Sequence, residues 1–85
     1  NTIMLGVIYC VVSTFNCETE TWVFATKQEA QEQFNSIVDG IADDSQIQTQ
    51  NDEFVCGEDI DGYYFQAYIN MYYVKNIELM ETFKN

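Results

Sequence analysis

Residues 26–41 are the one stretch of this chain with a helical hydrophobic period, and they constrain everything else. Ala30, Phe34, Ile37, Val38 and Ile41 recur at helical spacing, while Gln28, Glu32, Asn35 and Asp39 fall on the opposite side, the pattern of a helix with one buried face. Just before the stripe, Thr26-Lys27-Gln28-Glu29 matches a capping box, in which the Thr26 hydroxyl accepts from the Glu29 amide and Glu29 reaches back to the Thr26 amide. A lone amphipathic helix cannot bury its stripe against itself. The rest of the chain must supply a layer to receive it.

That layer reads as a sheet. Residues 3–15, rich in Val, Ile and Tyr with Gly6 as an interruption, predict a long central strand buried on both faces for part of its length. Asn16-Cys17-Glu18-Thr19 carries turn residues, and in residues 20–25 Trp22 and Phe24 on one side alternate with Thr21 and Val23 on the other, so a hairpin is expected, with Trp22 facing the core in preference to a partner. Residues 42–52 are polar and aperiodic and read as a loop. Residues 53–56 form a short strand pattern closed by a Gly- and Asp-rich turn over 57–62. Tyr63, Phe65, Ala67 and Ile69 then alternate with Tyr64, Gln66, Tyr68 and Asn70, a half-buried strand with Tyr64 and Tyr68 outward. Residues 71–74 fit no single period; Lys75-Asn76 reads as a turn or bulge before a last edge strand carrying Ile77, Leu79, Met80 and Phe83. The expected fold is α+β: a single domain over residues 1–85, with one amphipathic helix packed on a four- or five-stranded, mostly antiparallel sheet in the order β-β-α-β-β, as in β-grasp folds.

Charge narrows the function classes. The net charge is -11, with three Lys, no Arg and no His. Between Lys27 and Lys75 no basic residue occurs, while Asp39, Asp43, Asp44, Asp52, Glu53, Glu58, Asp59 and Asp61 crowd the interval. Phosphate-backbone binding draws its affinity from Lys and Arg, so direct nucleic-acid binding is disfavoured, and anionic membranes are disfavoured for the same reason. The apolar run over residues 3–12 is too short to span a bilayer and lacks the basic flank and cleavage site of a signal peptide. Cys10, Cys17 and Cys56 are an odd, scattered set that reads as reduced thiols, with Cys10 and Cys56 in the core and Cys17 exposed. A soluble, cytoplasmic protein is expected, more stable at higher salt because its self-repulsion is screened.

Catalysis lacks its usual parts: there is no His for base work, no Arg to hold a developing anion, no phosphate loop and no cationic neighbour to activate a Cys. Asp59 and Asp61 could form a glycosidase pair, but so short a chain leaves little room for a substrate cleft. Glu58, Asp59 and Asp61 are hard oxygen ligands, yet an EF-hand aligned on Gly62 would begin at Gly57, which has no side chain to ligate. Zinc is disfavoured by the missing His, and no cofactor or metal site is expected.

What remains is a binding surface. In an extended segment Asp59 and Asp61 would present carboxylates about 6.6 Å apart on one side, a spacing able to imitate a phosphate backbone. Small size, an acidic run over residues 39–61 and near absence of positive charge resemble small acidic phage-type inhibitors, the anti-CRISPR and anti-restriction proteins that act as nucleic-acid mimics. The resemblance implies a non-enzymatic inhibitor acting in a bacterial host cell on a basic nucleic-acid-binding protein or nuclease complex. The contacts expected are Asp39, Asp43, Asp44, Asp52, Glu53, Glu58, Asp59 and Asp61. Alternatives are an adaptor that binds a protein through Tyr64, Tyr68 and a sheet edge, a Ca²⁺-binding module, and acidity that serves solubility alone.

Overall fold

The computed structural model describes residues 5–75. They form one helix packed on a five-stranded sheet, with elements β1 (Leu5–Phe15), β2 (Glu18–Phe24), α1 (Lys27–Asp39), β3 (Gln46–Gln50), β4 (Phe54–Glu58) and β5 (Tyr64–Lys75). The strand order is β2-β1-β5-β4-β3, and every neighbouring pair is antiparallel. β1 and β5 are thus central neighbours. α1 carries the chain from one sheet edge, β2, to the other, β3.

The helix begins and buries its stripe as its sequence dictates. Thr26 Oγ1 accepts from the Glu29 amide at 3.2 Å. The Glu29 carboxylate accepts from the Thr26 hydroxyl at 2.9 Å, in place of the expected bond from the Thr26 amide. Ala30 and Phe34 are sealed against Val11, Val55, Phe65, Ala67 and Ile69, and Ile37, Val38, Ile41, Trp22 and Phe24 pack at the margin. Phe34, at 2% exposure, contributes roughly 1.5–3 kcal/mol by burial. All these sheet residues lie on one face, the covered face.

Three expectations are corrected. Residues 46–50 are not loop but strand β3, an edge strand whose five side chains are all exposed. Such a strand has no buried side to give it a period, and a register shift between Ile47 and Thr49 breaks its alternation further. The turn expected over residues 16–19 contracts to Asn16-Cys17, both at positive φ (48° and 69°), the two-residue hairpin turn whose twist matches its strands. Residues 71–74 continue β5 without a break, and Lys75 is a strand residue paired with Leu5, because β1 is long enough to pair with β5 from Phe65 to Lys75. The expected edge strand over 77–83 and the start of the first strand at Ile3 lie outside the described residues.

Candidate acidic pole

Register decides where the carboxylates go. Gln46 pairs with Glu58, so the start of β3 and the end of β4 lie side by side, about 4.8 Å apart. Asp43 and Asp44 sit just before the first, in a turn closed by Ser45 N–H donating to the Ala42 carbonyl at 3.0 Å. Asp59 and Asp61 follow the second. The β1–β2 turn reaches the same end, since Phe15 pairs with both Phe65 and Glu18 and the Asn16 amide donates to the Tyr64 carbonyl at 3.1 Å. Phe15 and Tyr63 meet edge to face there, ring centroids 6.1 Å apart. α1 ends at this end too. Gly40 and Ile41 line a groove of about 360 Å³ with Phe15, Phe65 and Asp59, which brings in Asp39. Glu18, Asp39, Asp43, Asp44, Glu58, Asp59 and Asp61 therefore share one end of the sheet.

The fold does not bring all the candidate acids together. Asp52 and Glu53 occupy the β3–β4 turn at the far end, where Glu53 meets Lys27 at 3.3 Å beside Tyr9, Ile69 and Met71. The Asp52 carbonyl accepts from Gln31 Nε2 at 2.8 Å, and the turn is held by Asn51 Oδ1 accepting from the Glu53 amide at 2.9 Å. Glu53 through its carboxylate and Asp52 through its backbone carbonyl serve the junction of turn and helix.

Asp59 and Asp61 are not the extended row expected of them. Asp59 Oδ1 accepts from the amides of Asp61 and Tyr63, each at 2.9 Å, and Gly62, at φ +84°, donates to the Asp59 carbonyl at 3.0 Å. The segment is a tight turn because an Asp that hydrogen-bonds the backbone two residues on and a Gly at positive φ both favour one. One Asp59 oxygen is thereby committed to the turn. Asp61, exposed, keeps its carboxylate free of it.

Tyr64 and Tyr68 lie on the sheet face turned away from α1, the open face. Tyr64 is exposed and Tyr68 half-buried. The Tyr64 hydroxyl donates to Gln66 Oε1 at 3.0 Å, and its pKa is raised above the ordinary tyrosine value, first by desolvation and then by the Cys56 thiol beside it. Tyr63, expected to alternate inward, precedes the strand and stays exposed. Cys10 is half-buried and Cys56 buried, both on this open face rather than under the helix, while Cys17 is exposed in its turn. Glu18 is an acid of this end that the expected contacts do not include, and its place beside the Asn16-Cys17 turn is the sign in the sequence that points to it.

Comparison with protein families, with curated proteins and with solved structures finds no match to this chain. Among the described residues no group of three or more Cys, Asp or Glu side chains is placed to hold a metal ion, and no helix is long and apolar enough to cross a membrane.

Proposed function

We propose that the protein is a non-enzymatic inhibitor that offers its acidic pole to the basic nucleic-acid-binding site of a nuclease or defence complex, of the anti-CRISPR or anti-restriction kind. One observation carries this reading. The Gln46–Glu58 register and the end of α1 gather Asp39, Asp43, Asp44, Glu58 and Asp61 at a single end of the sheet, although three separate segments supply them. A concentrated negative field of this kind steers a basic partner toward it, with fast association that salt weakens. Nucleic acid and the pole would then compete for the same Lys and Arg side chains.

The test begins with capture of a partner on the immobilised chain and its release by salt. Duplex binding by that partner should fall as the wild-type chain is added, and the combined variant Asp43→Asn, Asp44→Asn, Asp61→Asn should compete at least tenfold less well. Asp59 is a poor probe, since its carboxylate also holds the turn. A complex whose affinity ignores both salt and these substitutions would sink the proposal. The second reading, an adaptor acting through Tyr64 and Tyr68, draws support from their place on the open face. It requires Tyr68→Ala to weaken capture more than neutralising the pole does.

A further inference from the structure

β1 carries apolar side chains on both of its faces, the composition of a strand buried on two sides, and α1 covers only one. Val11 is sealed beneath the helix. Ile8, Cys10 and Val12 instead join Val23, Phe54, Tyr68 and Tyr72 on the open face, as the cross-strand pairs Ile8–Tyr72, Cys10–Val23, Val12–Tyr68 and Phe54–Tyr68 require. Val23 is 61% exposed and Tyr72 48%. An antiparallel sheet with one wet face ordinarily turns polar residues toward it. Here the middle of that face is apolar and aromatic, a character that marks an interaction surface.

Two more observations say what covers it. Several polar side chains on this face already pair with one another: Thr14 with Thr19 at 3.0 Å, Tyr64 with Gln66 at 3.0 Å, and Asn70 Nδ2 with the Tyr72 hydroxyl at 3.2 Å. Covering them would cost little in lost hydrogen bonds to water. The face is also nearly neutral. Among the described strand positions on it, only Glu58, at its margin, carries a charge. A basic partner or a nucleic acid finds no counter-charge there, whereas a second copy of this acidic chain meets its weakest repulsion there. Five strands about 4.8 Å apart and some seven residues long project roughly 600 Å², of the order of the 800 Å² per partner of an ordinary stable interface.

We infer that two copies of the chain stack through their open faces, sheet against sheet, with a helix outermost on each side and, of the acidic poles, only Glu58 at the margin of the contact. This does not rest on the role proposed for the pole. Sedimentation equilibrium of the 85-residue chain should give twice the monomer mass, and added NaCl should shift the population further toward the dimer by screening repulsion. Val23→Lys and Tyr72→Lys, at positions exposed in the single chain, should each return the mass to that of a monomer with unchanged far-UV circular dichroism, whereas Ile60→Lys in the β4–β5 turn should leave the dimer intact. Cys10 should react slowly with a maleimide in the wild-type dimer and at least tenfold faster in the Val23→Lys monomer. A wild-type monomer at every concentration and salt overturns the inference, including one whose Cys10 is nonetheless protected by residues 76–85. A dimer indifferent to Val23→Lys and Tyr72→Lys overturns it equally.

Discussion

The Phe65 ring closes over Gly57 on the neighbouring strand: a Cβ placed on Gly57 would stand 2.9 Å from Phe65 Cζ and would also run into the Gln46 carbonyl. Gly57 is buried and paired with both Phe65 and Ile47. The strand accepts a residue of low β-propensity because a cross-strand ring fills the space its side chain leaves. Gly57→Ala should destabilise the fold by about 1–3 kcal/mol, the usual range for overpacking, as a lower urea midpoint. Phe65→Leu should not rescue it, because the Gln46 carbonyl is backbone and cannot move aside.

The β1–β2 turn is strained at Cys17. With φ at 69° it occupies the left-handed region, which costs an ordinary L-residue roughly 1–2 kcal/mol and glycine almost nothing. Asn-Gly is the favoured pair for such a turn. Cys17→Gly should therefore raise the thermal midpoint, with a gain of about 1 kcal/mol offset in part by glycine's greater freedom when unfolded.

Asp39 ends α1, whose last turn holds no basic residue. The helix macrodipole already places partial negative charge there, and Asp43 and Asp44 add to it. Asp39→Lys should stabilise the chain by about 0.5–1 kcal/mol in low salt, with the gain shrinking as NaCl is added. Chemical denaturation at two salt concentrations reads both effects.

Tyr64 should hold its phenolic proton beyond the ordinary tyrosine value. Its pKa lies above the ordinary value of 10.0 through desolvation and the Cys56 thiol, so the folded state holds the phenolic proton more tightly than the unfolded chain does. The associated stability is intact below pH about 10 and is lost as pH rises through the folded value. An absorbance titration of the phenolates should lose a late-titrating component in Tyr64→Phe, and Cys56→Ser should move that component to lower pH.

Where a side chain is buried on one side only, residue spacing carried the fold. Ala30, Phe34, Ile37, Val38 and Ile41 announced α1, and Phe65, Ala67 and Ile69 announced β5. β3 was illegible because Gln46, Ile47, Gln48, Thr49 and Gln50 are all exposed, and a strand held by backbone hydrogen bonds alone leaves no period to read. The acidic pole was half legible. Residue types named its members apart from Glu18, but the separation of Asp52 and Glu53 from the others depends on which end of β4 each turn occupies, a matter of register that composition does not encode. The double-sided apolar character of β1 was visible in Ile8, Cys10, Val11 and Val12, yet only the fold says that α1 covers the Val11 side alone.

Leu5 faces Lys75 across the central ladder, so the pairing that unites the sheet joins segments about as far apart in sequence as the described chain allows. A nascent chain leaving the ribosome can close the β1–β2 hairpin early and wind α1 against it, but β1 receives its second neighbour only when β5 emerges. The contacts that seal Phe34 need Phe65, Ala67 and Ile69, and must wait as well. Folding is therefore a late event dominated by long-range closure, in the slower range for a domain this small, and a chain halted before residue 64 would keep Val11 and Phe34 open to aggregation or proteolysis.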